Sequence, residues 1–395
     1  MTLDLAKTNV LEAGSFVASS ALIKSVKTRM FRRTLPELIV DGGTAISSRE
    51  VLVLEISDTD DVKGIAFISG INAFSGAELK VLRLMLDEGF APKLLKRDAG
   101  AIGTVVQDLM KKTARWGTNG AVVRAVSLVE MALWDLAGKR AGLPFHRMLG
   151  GNNDPVRAYA SGGYYTDDER AFAHELESYV DQNFGAVKIK IGIGTLEENI
   201  ERTRLARQVI GAETELMVDV NEAWNATDTI RYARAVDDCR LFWLEEPLAQ
   251  SNGRKLSALR QSVSMPIAAG ENLYETDRFM DLLMAEAVDF MQPDATRVLG
   301  LGGWIAECRR AEAFGVKCVP HAMQEYHVSL SRCVSNCDLV EWFVVDHPNQ
   351  ILHTELFPME PSGLTIKDGM VSIQSRPGLG LELDAKAAAR FEVAL

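Results

Sequence analysis

The chain reads AVKIKIG at residues 186–192, LMVDVN at 216–221, FWLEEP at 242–247, IAAGEN at 267–272, FMQPD at 290–294, KCVPH at 317–321 and DLVE at 338–341. Each segment is a short apolar run with a lysine, carboxylate or histidine at or near its end. These residues are Lys188 and Lys190, Asp219 with Asn221, Glu245, Glu271, Asp294, His321 and Glu341. They recur at intervals of about 20–30 residues, the length that one strand–loop–helix–loop unit needs. Six such intervals in succession predict consecutive βα units of one parallel barrel. Sites in such barrels lie at the C-terminal strand ends, so these side chains are expected to converge on one cavity.

Outward from this core, the barrel is expected to span residues 151–355, with VRAYASGG after Pro155 as its first strand. Helices are expected between the polar strand ends, for example over Leu196–Ile210, Asp228–Asp237 and Gly302–Phe314. Residues 1–150 follow a different rhythm. Stretches 21–33 and 49–56 read as strands, with Gly42 and Gly43 marking a loop between them. Stretches 77–90, 101–114 and 120–141 carry helical spacing, and in the last Val122, Val126, Val129, Leu133 and Leu136 form one stripe, stopped by Gly142 and Pro144. This predicts an α+β domain. Beyond residue 355, GLTIKDGMVSI reads as a hairpin turning at Asp368 and Gly369, in a tail (356–395) expected to return to the first domain.

Composition narrows the function. A chain of 395 residues exceeds the roughly 250 of a bare barrel and leaves room for a second domain. It is 47% hydrophobic and 25% charged, with a net charge of −11. The short Arg29–Arg33 run is the only basic cluster, which argues against a nucleic-acid partner. Five cysteines without a CxxC pair indicate neither a disulfide framework nor a zinc site. The N-terminal MTLDLAKTNV lacks the pattern of a secretion signal, and no run of about 18 apolar residues occurs, so a cytoplasmic protein away from membranes is expected.

Asp219, Glu245 and Glu271 end three consecutive strands, where their oxygens can share one ion. Hard oxygen donors with room for water and substrate fit magnesium better than zinc. Lys188 and Lys190 alternate with apolar residues, so both point to one side of the strand. Their mutual repulsion and a nearby cation are expected to lower their pKa values, which suits a base. Asp294 lies one unit before His321, so its carboxylate can fix the imidazole tautomer and leave the other nitrogen free for proton transfer. Glu341 is expected either to hydrogen-bond a developing oxyanion or to balance the lysines. The remaining histidines, His146, His174, His327, His347 and His353, are read as structural. Together the set suits removal of a proton α to a carboxylate: the metal and Lys188 stabilise the enediolate while Lys190 or His321 takes the proton.

These motifs, with ALWDLAGKRAG at 132–142 and PGLGLEL at 377–383, resemble the enolase superfamily and, within it, the mandelate racemase subgroup. The resemblance implies an α/β fold: a modified (β/α)7β TIM-like barrel under an N-terminal α+β capping domain completed by the C-terminal tail. It implies Asp219, Glu245 and Glu271 as Mg2+ ligands, Lys190 as the base on one face with Lys188 as its electrostatic partner, and Asp294–His321 as the dyad on the other. It also matches Glu341 to a glutamate that contacts the substrate carboxylate, and Asn221 to a residue facing the substrate. Substrate identity would be read by the capping domain, here between Arg29 and Arg49. The polar Arg29, Arg32, Arg33, Asp41 and Arg49 there suit a hydroxylated or doubly anionic acid, with Arg29 taken as a contact and Tyr164 and Tyr165 as candidates to line the pocket. The expected activity is Mg-dependent dehydration of a sugar acid to a 2-keto-3-deoxy acid, in a homo-oligomer. A racemase or epimerase working by two-base 1,1-proton transfer is the alternative. A cycloisomerase, an acyl-amino-acid racemase and a non-catalytic binding scaffold rank below both.

Overall fold

The computed structural model describes residues 21–394 except 42, 72–75, 167, 249–252 and 359–363. Strands β1 (Ile23–Asp41), β2 (Thr44–Asp58) and β3 (Lys63–Ile71) form an antiparallel meander in that order. The stretch between Arg29 and Arg49, expected to hold a loop, is instead mostly hairpin. Ile39, Val40 and Asp41 pair with Ile46, Ala45 and Thr44, while an irregularity between Thr34 and Ile39 absorbs Pro36.

Helices α1 (Ala77–Leu84), α2 (Ala91–Leu94), α3 (Ile102–Thr113) and α4 (Gly120–Ala141) follow, and α5 (Phe145–Met148) leads towards the barrel. Met85–Phe90 continues α1 as a π-helical turn. Helix α4 is buried almost all round from Val122 to Gly138, as its nearly unbroken apolar sequence requires. It ends at Gly142, whose φ of 66° forms the left-handed stop.

The barrel alternates strand and helix: β4 (Val156–Gly162), α6 (Glu169–Asp181), β5 (Ala186–Lys190), α7 (Leu196–Ile210), β6 (Glu215–Asp219), α8 (Ala226–Ala235), β7 (Leu241–Glu245) and α9 (Gly253–Arg260). It continues through β8 (Ile267–Ala269), α10 (Thr276–Met284), β9 (Phe290–Met291), α11 (Gly300–Ala313), β10 (Lys317–Cys318), α12 (Gln324–Leu330) and β11 (Leu339–Trp342). Neighbours from β4 to β10 pair in parallel, and β11 returns to pair with β4. Between β10 and β11, the Cys318 N–H donates to the Asn336 carbonyl at 2.9 Å. Eight strands with seven helices between them make the (β/α)7β arrangement.

After α13 (Ile351–Leu356), the tail hairpin β12 (Ile366–Lys367) and β13 (Met370–Val371) turns at Asp368 and Gly369, with φ of 51° and 67°. Positive φ at both positions is what a tight two-residue hairpin demands. This hairpin adds to the barrel sheet, with β13 antiparallel to β4. The capping side is reached further on. The Leu379 N–H donates to Asp135 of α4 at 2.7 Å, and after α14 (Ala385–Phe391) the Val393 N–H donates to the Met30 carbonyl at 2.9 Å.

Cap and barrel also meet at Glu130 of α4. Its buried carboxylate accepts from the Leu301 and Gly302 N–H groups at the start of α11 (2.8 and 3.0 Å) and from Trp134 Nε1 (2.8 Å). Gly300, at φ 85°, lies so close that a β-carbon there would collide with that carboxylate. Burial pushes Glu130 up to about 7, against those three hydrogen bonds.

Candidate active site

Strand period places the site. On β5, Lys188 and Lys190 share the inward face, and Asp219, Glu245 and Glu341 occupy the same level on β6, β7 and β11. Glu271, Asp294 and His321 sit just beyond the ends of β8, β9 and β10. One ligand oxygen from each of Asp219, Glu245 and Glu271 lies within 4.8 Å of the others, and all three residues are buried. Glu271 Oε2 is buried without a hydrogen-bond partner. Burial, with Asp219 and Glu271 adding to it against Lys188, pushes Glu245 up to about 8. An orphaned carboxylate oxygen amid crowded negative charge fits a divalent cation, and an all-oxygen donor set suits a hard one such as magnesium.

The carboxylates are held from behind. Trp243 Nε1 and Gln292 Nε2 both donate to Glu245 Oε2, at 2.9 and 2.8 Å, and the Asn221 N–H donates to Asp219 Oδ1 at 2.9 Å. Lys188 Nζ lies 2.6 Å from Glu245 Oε1 and 3.0 Å from Glu341 Oε1. Lys190 Nζ donates to Asp219 Oδ2 at 2.6 Å and to Asn221 Oδ1 at 3.0 Å. The expected lowering of both lysine pKa values does not hold for Lys188. Burial opposes its charge, but Glu245 and Glu341 outweigh that and raise its pKa well above the ordinary value. Glu341 accepts from the Ala322 N–H at 2.6 Å. Although burial would raise it, Lys188 and His321 bring it down to about 2, so it stands as a balancing charge.

Across the cavity, His321 Nδ1 is 3.0 Å from Asp294 Oδ2 and its Nε2 is 3.6 Å from Glu271 Oε1. Burial would raise Asp294, but the His321 hydrogen bond and Arg297 hold it well below the usual carboxylate range. Burial lowers His321, and Glu271 and Asp294 more than reverse this. Arg297 Nη1 donates to the Glu271 carbonyl and to Asn272 Oδ1, both at 2.7 Å, which braces the loop after β8 against the one after β9.

The structure therefore brings together Lys188, Lys190, Asp219, Asn221, Glu245, Glu271, Asp294, His321 and Glu341. Tyr164 joins them, its ring 5.7 Å from Lys190 Nζ. Tyr165 turns away: its hydroxyl donates to Asn199 at 3.0 Å and accepts from the Ile193 N–H at 2.7 Å. Arg29 is a correction. Its guanidinium binds both oxygens of Glu392 in the tail at 2.8 Å, an ion pair that fastens β1 to the C-terminus. The side chain of Asp41 lies outside the described residues.

Sequence reasoning missed Trp243 and Gln292, although each stands two positions before a singled-out residue. His347, read from the sequence as structural, packs against Tyr164. His347 is buried on the loop after β11, its ring 5.0 Å from that of Tyr164 and 4.8 Å from that of Phe343. No periodic signal marks a loop residue.

Fold and site together define a class, the capped (β/α)7β barrels of the enolase superfamily. The chain belongs to the mandelate racemase/muconate lactonizing enzyme family: residues 26–150 match the family's N-terminal domain and residues 171–387 the enolase C-terminal domain-like profile. It is 31% identical to an L-talarate/galactarate dehydratase of Salmonella typhimurium over 340 residues, covering 85% of this chain and 81% of the relative. It is 28% identical over 346 residues to an arabinonate dehydratase of Saccharolobus solfataricus, covering 86% and 89%. Among solved structures, a racemase from Streptomyces coelicolor A3(2) with bound magnesium matches with a TM-score of 0.86 at 28% identity, covering 94% of this chain and 100% of that one.

Proposed function

We propose that this protein is a magnesium-dependent sugar-acid dehydratase that removes the C2 proton and expels the C3 hydroxyl, giving a 2-keto-3-deoxy acid. One observation carries the reading: Lys190 and the His321–Asp294 dyad stand on opposite sides of a buried carboxylate triad. Asp219, Glu245 and Glu271 would hold magnesium, which when bound would neutralise charge developing on the oxygens of the substrate carboxylate. Lys188, kept charged by Glu245 and Glu341, donates to the same carboxylate. One base takes the C2 proton. The group on the other side gives a proton to the leaving C3 oxygen, so that water departs, and the enol product tautomerises to the ketone. Asn221 and Tyr164 flank Lys190 and orient the chain beside it. The dehydratases among the relatives support this chemistry.

The alternative, 1,1-proton transfer that inverts C2, uses the same two bases, and only a β-leaving group on the substrate separates the two. The test is an assay with magnesium over aldonic and aldaric acids, following 2-keto acid as semicarbazone and, in D2O, deuterium at C2. Keto product that vanishes in Lys190→Ala and His321→Asn upholds dehydration, whereas deuterium at C2 without keto product supports inversion. We further place the enzyme in the cytoplasm as a homo-oligomer, with segments 1–150, 151–355 and 356–395 as cap, barrel and returning tail. Five free cysteines support the reducing compartment, and among the described residues no helix is long and apolar enough to cross a membrane.

A further inference from the structure

One arginine of helix α7 reaches back to the ends of two barrel strands. Arg202 Nε donates to the Lys190 carbonyl at 3.1 Å, and its Nη2 donates to the carbonyls of Gly163 and Tyr164 at 2.7 and 2.8 Å. The Gly163 carbonyl also accepts from the Lys190 N–H at 3.2 Å, so the end of β5 and the loop after β4 meet at this guanidinium. Two rings pack against it. Its central carbon is 3.8 Å from the ring centre of Phe172 in α6 and 5.0 Å from that of Tyr165. Tyr165, which turns away from the cavity, thus has a place in the support beneath it.

Asn199, one helical turn before Arg202, holds the next stretch of chain. Its Oδ1 accepts from the Gly192 N–H at 2.7 Å and its Nδ2 donates to the Ile193 carbonyl at 2.8 Å. Arg202 itself is an unusual choice for a simple brace. Burial works against its charge, Tyr165 and Glu175 offsetting this only in part, and its protons go to three main-chain carbonyls rather than to a carboxylate. What a guanidinium offers in return is a planar fork whose donors have fixed directions, so its acceptors are fixed relative to one another. Lys190 Nζ and the Tyr164 ring, 5.7 Å apart, therefore stand on main chain held by one side chain. These contacts all lie on the β4–β5 side. The dyad across the cavity has its own arginine, Arg297, whose Nε is 3.5 Å from Asp294 Oδ2.

We propose that Arg202 is a positioning residue: through the main chain it sets the place of Lys190 and Tyr164, and so governs proton transfer on the Lys190 face of the substrate and not on the His321 face. The inference rests on the proposed α-proton chemistry. A base displaced by about 1 Å loses roughly 100-fold in rate even when the change lies far from the reacting atoms.

The experiment uses pairs of six-carbon aldonic and aldaric acids that differ only in configuration at C2, so that the C2 proton points to Lys190 in one epimer and to His321 in the other. Exchange of that proton in D2O is followed with the magnesium-loaded enzyme, and Lys190→Ala and His321→Asn assign each epimer to its base. Arg202→Gln is expected to lower kcat for the Lys190 epimer by about 10- to 100-fold with KM changed by less than about threefold, and to leave the His321 epimer within about threefold of wild type. An arginine that only stabilised the fold would cost both faces alike, so equal losses, or no loss on either face, overturn the proposal. Should Arg202→Gln fail to fold by circular dichroism, Arg202→Lys, which keeps the charge without the fork, decides by the same face-selective loss, about tenfold. If the wild type exchanges no acid, the α-proton reading fails and the hold on the main chain is judged alone, by amide hydrogen exchange with mass spectrometry. Faster exchange in Arg202→Gln confined to peptides covering residues 162–165 and 189–193 upholds that hold, whereas unchanged or uniformly faster exchange overturns it.

Discussion

The inside of the barrel has two floors built by the same strands. The lower is apolar and closed: Tyr159, Ala186, Met217, Trp243, Ala268, Val319 and Leu339 form one buried cluster, with the Tyr159 and Trp243 rings edge to face at 5.4 Å. Two residues further along β4, β5, β6, β7 and β11, the upper floor carries Ser161, Lys188, Asp219, Glu245 and Glu341. Moving one pleat along each strand thus exchanges a packed core for a charged cavity. The lesson is that the lower floor supplies rigidity while the upper floor supplies chemistry, and two contacts join them: the Trp243 indole N–H on Glu245, and the Lys188 ammonium 5.4 Å from the Tyr159 ring.

Changes at and just beyond the upper floor should remove activity without removing the fold. Lys190→Ala and His321→Asn are each expected to lower kcat by at least about 10³-fold, and the double variant little further, since each already breaks a two-base relay. Steady-state kinetics with a thermal melt on the same samples check this, and a parallel loss of Tm would break the separation of floors. Glu271→Gln should weaken magnesium binding by about 10- to 100-fold, read as a smaller rise in Tm on adding the metal.

The lower floor should behave in the opposite way. Trp243→Ala is expected to cost about 3–5 kcal/mol in denaturant unfolding, because it opens a cavity at a fully buried position. Trp243→Phe sharpens the comparison. It keeps most of the volume but drops the donor to Glu245, so stability should fall by about 1–2 kcal/mol, with a further penalty in metal affinity.

A pH-dependent effect lies outside both floors, at the seam between cap and barrel. Glu130 has a folded pKa of about 7, above the ordinary carboxylate value, so the folded state binds more protons than the unfolded one between about pH 4.5 and 7. Stability from this group is therefore present at low pH and lost as pH rises through that window. Glu130→Gln should flatten the fall, gaining up to about 3 kcal/mol relative to wild type at pH 8 compared with pH 4. Denaturant titrations of both proteins at several pH values measure it.

The two floors also explain what could be read in advance. The polar strand ends were legible because an inward side chain recurs every second residue, and a charge inside an apolar run has few structural uses. Helix α7 was legible to its ends, since Thr195 and Glu198 form a capping box and Gly211 follows Ile210. The hairpin between Arg29 and Arg49 was not, because polar residues and a proline mimic a loop until a partner strand is present. Arg29 was misplaced for the same reason: which of several arginines faces the barrel depends on register and on the tail, which takes Arg29 for itself. The raised pKa of Lys188 depends on Glu245 and then on Glu341, the latter 153 positions away in the chain but 3.0 Å away in space.

By itself, then, the sequence determined the barrel, the level of its charged floor and the carboxylate triad, because all three follow from a local period of two repeated at the length of a βα unit. The tertiary structure alone decided the sign of the Lys188 shift, the pairing of Arg29 with the tail, and the packing of His347 against Tyr164. Those outcomes depend on which distant segments meet, and electrostatic interactions grow steeply at short separation in a buried site where water is too scarce to screen them.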